Sequence, residues 1–287
     1  MSYATEFSVD ELMAAIVARQ FTNEDVAFIG IGLPLIAAMC AVSTHAPDAI
    51  LVFEGGGIGA KSRRLPWTIS DNPTTDNALG AGPMWRVFGD TQRGFVSLGV
   101  IGGAQIDKYG NLNTTVITGS DGSYLRPIVR LPGSGGANDI ASSAIRTVIM
   151  MRLQKGKFVN KLDFVTSPGY LNGPGAREKA GLKGKGPVMV VTEKALFKFD
   201  EETKEMYLDA LFPGITVDMV KSLVEWDLRV APTLSPIEPP TVEQIKVMRA
   251  FDPLNIILGK KTGLRPETFE EYYSKMKESY ESIDLKF

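Results

Sequence analysis

The chain has 287 residues, 44% hydrophobic and 22% charged, with a net charge of −2, one histidine and one cysteine. That length can bury a substantial core as one large domain or two modest ones, and the interspersed charges offer no basic block for nucleic acid or an anionic membrane. One cysteine excludes an internal disulfide and fits a reducing cytoplasm, and with a single histidine neither a Cys/His zinc site nor a Ser-His-Asp hydrolase lacking G-x-S-x-G is supported.

"SVDELMAAIVARQF", from Ser8, opens as a helix with Ser8 as N-cap and Glu11 three residues on. "DVAFIGIG" reads as a buried strand and "LPLIAAMCAVSTH" as a helix with Pro34 in its first turn. Residues 26–42 form the most apolar run, but they are short and interrupted by Gly30, Gly32 and Pro34, so strand–turn–helix is preferred to a membrane span. Cys40 within this helix reads as core filler, and His45, ahead of "APD", as a loop residue. The start of the chain lacks the basic and apolar regions of a signal peptide, which again points to the cytoplasm.

"AILVFEGG" is the second strand; a helix between two continuous apolar strands predicts a βαβ unit and a parallel sheet. Residues 62–93 read as irregular, with Trp67 and Trp85 among Asp, Asn, Pro and Gly; a connection that long is usually functional or covered by a partner. "GFVSLGVIGGAQID" is strand-like, "KYGNLNTTVI" a turn and a strand, and "RLPGSGGANDIASSA" a glycine loop opening a helix. "RTVIMMRL" and "LDFVTSP" are expected to be strands, and 186–211 a three-strand meander turning at "TEKA" and "DEETK". "TVDMVKSLVEW" and "TVEQIKVMRAF" are amphipathic helices around a Pro-rich linker, and the charged, aromatic tail reads as a surface helix or frayed end in preference to a docking element. The expected organisation is one α/β domain over residues 1–260, with an open, mostly parallel sheet flanked by helices and a C-terminal β-meander, and a charged tail over 261–287.

Glu54 is the first candidate for chemistry. An acid behind a buried strand is commonly a solvated loop residue or half of an ion pair. Here it sits where open parallel sheets gather ligands, at a strand's carboxyl end, and Gly55, Gly56 and Gly57 remove every Cβ from the adjoining backbone. The second candidate is "GSGGANDIA", a glycine turn whose amides would face an anion at a helix N-terminus. The plain alternative is a tight strand-to-helix turn, and a lone glycine-rich loop is a weak signal. It is not G-x-G-x-x-G, and no acid follows about 20 residues on, so dinucleotide binding is set aside. Asp107 and Asn111 in "GGAQIDKYGNLN" read as structural loop groups.

"GGAQIDKYGNLN", "GSGGANDIA", "FVNKLDFVTSPGYLNGPGAREKAGL" and "LFKFDEETKEMYL", in this order, resemble the β subunit of glutaconate CoA-transferase, among the family I CoA-transferases. The resemblance runs from about residue 8 to about residue 257. It implies a fold shared with ribose-5-phosphate isomerase and a related α-type subunit completing a hetero-oligomer. It further implies CoA transfer between an acyl-CoA and a (di)carboxylic acid, with Glu54 of "FEGG" as the covalent catalyst. Coenzyme A is then a co-substrate and no resident cofactor or metal is called for. Gly135 and Gly136, with Ala137 and Asn138 beside them, are the implied oxyanion and CoA contacts, and Gly55–Gly57 would admit the pantetheine arm. Two departures bear on substrate: Phe53 stands where relatives carry a small residue, and 55–93 matches poorly. Arg63, Arg64 and Arg86 in that segment are candidate cations for a dicarboxylate. The alternatives are an acyl-CoA decarboxylase or hydrolase on the same fold, or a non-catalytic acyl-CoA-binding subunit with Glu54 mispositioned by Phe53.

Overall fold

The computed structural model describes residues 2–62, 64–66, 68–119, 122–253, 256–258 and 268–282. Arg63 and Trp67, and the tail residues 261–267 and 283–287, lie outside the described residues. In chain order the elements are α1 (Val9–Ala18), β1 (Val26–Ile29), α2 (Leu33–Ser43), β2 (Ile50–Val52), β3 (Gly57–Ile58), β4 (Gly80–Ala81) and α3 (Met84–Gln92). They continue with β5 (Leu98–Ile101), β6 (Gln105–Ile106), β7 (Leu112–Asn113), β8 (Val116–Ile117), β9 (Val129–Arg130), α4 (Ala137–Ser143) and β10 (Arg146–Met150). The last are α5 (Ala176–Lys179), β11 (Pro187–Val191), β12 (Ala195–Phe199), β13 (Met206–Leu211), α6 (Val217–Lys221), β14 (Arg229–Val230), α7 (Val242–Phe251) and α8 (Phe269–Ser282). They form two compact units, 1–87 with 238–287, and 88–237.

In the first unit β1 and β2 pair in parallel across α2, and β3 and β4 add antiparallel strands beyond β2. The α2 sequence is apolar all round, as a helix enclosed on every side requires, and it is covered by α1 and α7. Both of those helices start from capping boxes. Ser8 and Glu11 exchange side-chain and backbone bonds in one, and Thr241 and Gln244 in the other. Glu11 is buried, and its carboxylate accepts from the Arg249 guanidinium at 2.6 Å, joining α1 to α7. The tail helix α8 packs on α7.

In the second unit β5, β10 and β11 run parallel, and β11, β12 and β13 form the expected meander, with turns at 192–195 and 200–205. β5 is buried throughout and β10 is buried from Thr147 on, with Val148, Ile149 and Met150 a continuous apolar run, as strands covered on both faces require.

Three expectations are corrected. "LDFVTSP" is not a strand: Phe164 and Val165 are exposed, and the amides of Thr166 and Ser167 both turn to the Leu112 carbonyl. Within 62–93, α3 is a helix; Val87 alone of its apolar residues is buried while Met84 and Trp85 are exposed, so no buried apolar stripe announces it. The helix expected over 216–226 stops at Lys221, because Val224 turns away to bridge Phe158.

Candidate active site

Glu54 stands at the tip of a tight turn. Phe53 ends the β2 run with its ring buried, 2% exposed. The Gly56 amide then donates to the Phe53 carbonyl at 2.9 Å, which puts half-buried Glu54 and Gly55 at the two central positions. The Phe53 amide donates to the Gly57 carbonyl, also at 2.9 Å, and β3 returns antiparallel to β2. Gly56 has φ +116°, outside the range of L side chains.

The glycines have a packing reason within the chain itself. A Cβ on Gly55 would lie 2.3 Å from the Ile69 carbonyl, on Gly56 1.8 Å from that of Gly82, and on Gly57 1.7 Å from that of Thr74. The Gly55 amide donates to Ile69 O at 3.1 Å and the Gly82 amide to Gly56 O at 3.0 Å. The space where side chains would stand is thus filled by the chain's own segment 69–82. The segment read as irregular is what clamps the Glu54 turn.

The second loop lies in the other unit. Gly133 (φ +98°) and Gly135 (φ +47°) have no atom near where a Cβ would project, so backbone conformation alone calls for glycine there. Gly136 caps α4, and the Ala137 amide is closed onto Ser134 O. Among the described residues no acceptor pairs with the amides of Gly135 and Gly136. The Asn138 side chain is committed: its Nδ2 donates to Thr166 O at 2.7 Å, fastening α4 to the extended stretch 163–167.

The long motifs that precede and follow this loop act as cross-links. The Asp107 carboxylate accepts from the amides of Tyr109 and Asn111 and from Asn111 Nδ2, and Asn111 Oδ1 accepts from the amides of Gly169 and Leu171. Burial pushes the Asp107 carboxyl above the ordinary range despite these bonds. Arg177 is a residue that sequence reasoning passed over. It is 3% exposed and donates to the carbonyls of Gly184, Gly169 and Ala141 at 2.7–3.1 Å. Ala141 belongs to α4, so this buried guanidinium holds the helix behind the glycine loop. Being the single arginine among four basic residues of the Gly-rich "NGPGAREKAGLKGKG" was its only sequence signal.

The coenzyme A transferase family model matches residues 11–223. The chain belongs to the coenzyme A transferase family. It is 38% identical to the B-type subunit of 3-oxoadipate CoA-transferase from Pseudomonas knackmussii, over 86% of this chain and 94% of that one. It is 39% identical to the B-type subunit of glutaconate CoA-transferase from Acidaminococcus fermentans, over 87% and 94%. The crystal structure of that glutaconate CoA-transferase superposes with a TM-score of 0.79 at 37% identity, covering 90% of this chain and 99% of that chain. Human succinyl-CoA:3-ketoacid coenzyme A transferase 2, mitochondrial, is 28% identical over 77% of this chain but only 40% of its own length.

The other nucleophile candidates in this CoA-transferase chain are structural. Cys40 is wholly buried in α2, and burial pushes its thiol up to about 12, so no thiolate is available near neutrality. The His45 ring lies 3.0 Å from Thr44 Oγ1 and 3.0 Å from Ala18 O, between the ends of α1 and α2. Arg64 is within 3.6 Å of the Asp71 carboxylate. Among the described residues no helix is long and apolar enough to cross a membrane, and no three metal-ligating side chains cluster.

Proposed function

We propose that this chain is the nucleophile-bearing β-type subunit of a two-subunit transferase that moves CoA between an acyl-CoA and a dicarboxylic or related acid in the cytoplasm, with CoA as co-substrate and no resident cofactor. The observation that carries this is Glu54 itself: a carboxylate raised on a clamped turn at the end of a buried strand, in a chain of this family. Burial of the Phe53 ring in the core removes the bulk that could have displaced it.

A carboxylate suits the energetics. A serine would form an oxygen ester too stable to return CoA. The Glu54 carboxylate instead attacks the thioester carbonyl and expels CoA thiolate, leaving a mixed anhydride. The thiolate then attacks the glutamyl carbon, and the donor carboxylate leaves from a glutamyl-CoA thioester. An acceptor carboxylate attacks that thioester and releases the thiolate again, which takes the acceptor acyl group and restores Glu54. No proton is removed from the nucleophile, so no histidine base is needed. Each addition creates an oxyanion, which needs preorganised donors. Independently, the amides of Gly135 and Gly136 are assigned the binding of negative charge on an acyl-CoA. The named substrates of the two relatives near 40% identity, 3-oxoadipate and glutaconate, support a dicarboxylate.

The test is to assemble the chain with its α-type partner, add acyl-CoA without acceptor, and digest for mass spectrometry. A CoA adduct on the Glu54 peptide is expected, and Glu54→Gln should lower turnover by about 10⁴-fold or more, as removal of a covalent nucleophile does. Turnover without acceptor or adduct, undiminished in that variant, would instead identify hydrolysis or decarboxylation.

A further inference from the structure

We propose that the β8–β9 hairpin, together with Phe164 and Val165, is the surface on which the α-type subunit docks. This rests on the reading of the chain as one half of a two-subunit transferase.

The hairpin carries Tyr124, Leu125, Ile128 and Val129, all exposed, with Leu125 at 86% and Ile128 at 72%. Phe164 and Val165, distant in sequence, are exposed too, and the Tyr124 and Phe164 rings lie 5.8 Å apart, so the two segments share a patch. The Arg130 guanidinium lies 4.6 Å over the Tyr124 ring and donates to its carbonyl at 2.8 Å, holding the aromatic in place. Thr118 Oγ1 donates to Asp163 at 2.7 Å and ties hairpin to loop. The strands are two residues long and both faces of β9 are exposed. So short a hairpin gains little from its own pairing, and an apolar surface of this kind marks a contact with another molecule.

The occupant follows from length and position. The chain fills 94% of two bacterial relatives that are each one subunit of a transferase, yet only 40% of the human relative, so more than half of that relative lies outside the match. A second half, separate or fused, therefore accompanies this one, and an apolar face must be covered by it. Arg126 and Arg130 at the margin fit a partner surface with an apolar centre and acidic rim. The patch is also continuous with the glycine loop. Leu131 and Gly133 bond back to Thr115 and Thr114, and Thr166, next to Val165, bonds Thr114, Thr115 and Asn138. A subunit seated on the hairpin reaches the loop whose amides are assigned to anion binding.

The experiment measures assembly of the chain with its α-type partner by native mass spectrometry and analytical ultracentrifugation. It compares wild type, Leu125→Glu/Ile128→Glu, the milder Leu125→Ser/Ile128→Ser, and Met219→Glu, an exposed position on α6, with circular dichroism of each. Loss of hot-spot anchors should weaken the heteromer by at least about 30-fold in the hairpin variants, whose folding signal is retained, and leave Met219→Glu unchanged. If the Glu pair misfolds, the Ser pair decides by the same comparison. A heteromer of undiminished affinity in the folded hairpin variants overturns the docking surface, as does loss of only a wild-type homodimer. Failure of wild type to assemble at all would count against the two-subunit reading itself.

Discussion

Gly56 is the most constrained of the three glycines behind Glu54. Its φ of +116° and the Gly82 carbonyl 1.8 Å from where a Cβ would stand exclude any side chain without backbone movement. Gly56→Ala should destabilise the chain at the upper end of about 1–3 kcal/mol or beyond, the range for backbone strain at a constrained position. It should also cost activity in proportion to the displacement of Glu54. A thermal melt and a turnover assay check both; an alanine variant with wild-type stability and rate would show that the clamp is not needed. Gly135 contrasts with it, since open space surrounds its missing Cβ and only conformation is at stake.

At the scale of elements, the α1–α7 junction turns on Glu11. Burial raises its carboxyl, but the Arg249 guanidinium and the Ser8 amide and hydroxyl outweigh burial and leave it below the ordinary carboxylate range. Arg249 moves the opposite way, held above its usual value first by its bond to Glu11. A carboxyl whose folded pKa lies below its unfolded value favours folding above the unfolded pKa, near 4.5, and this advantage disappears as pH falls through the folded pKa. Glu11→Gln should therefore be less stable than wild type at pH 7, and the gap should close as pH is lowered from about 5 to about 3. Denaturant titrations at several pH values give the measurement. A gap that widened in acid would mean that the ion pair does not set the sign.

At the scale of the molecule, the first unit is assembled from both ends of the chain. Residues 238–253 supply α7, whose Ile245, Val247, Met248 and Phe251 are buried and whose packing closes over α1 and α2. Asp252 then accepts from the amides of Ile256, Ile257 and Leu258, with Leu258 buried. A chain ending at residue 237 should lose cooperative unfolding of the first unit, whereas one ending at 258, without α8, whose described side chains are mostly exposed, should keep its midpoint within about 4 °C. Calorimetry of the two truncations separates the roles. A 258 chain as unfolded as the 237 chain would make α8 part of the core rather than the surface helix its composition suggests.

Whatever near neighbours along the chain decide could be read from the sequence. A helix start needs Ser8 with Glu11 three residues on, a buried parallel strand needs a continuous apolar run, and the meander needs turn residues between β-branched and aromatic segments. These were legible, as were Glu54 at a strand end and the motifs that carry the family. The reason for the glycines beside Glu54, the clamp of Arg177 on α4, and the exposure of Phe164 and Val165 in an apolar stretch emerged from the tertiary structure alone. In each case the deciding atom comes from a distant part of the sequence: Gly82 behind Gly56, Ala141 against Arg177, Leu112 taking the Thr166 and Ser167 amides. Periodicity reports which face of an element seeks cover, but steric exclusion and hydrogen-bond satisfaction depend on which remote segment arrives there.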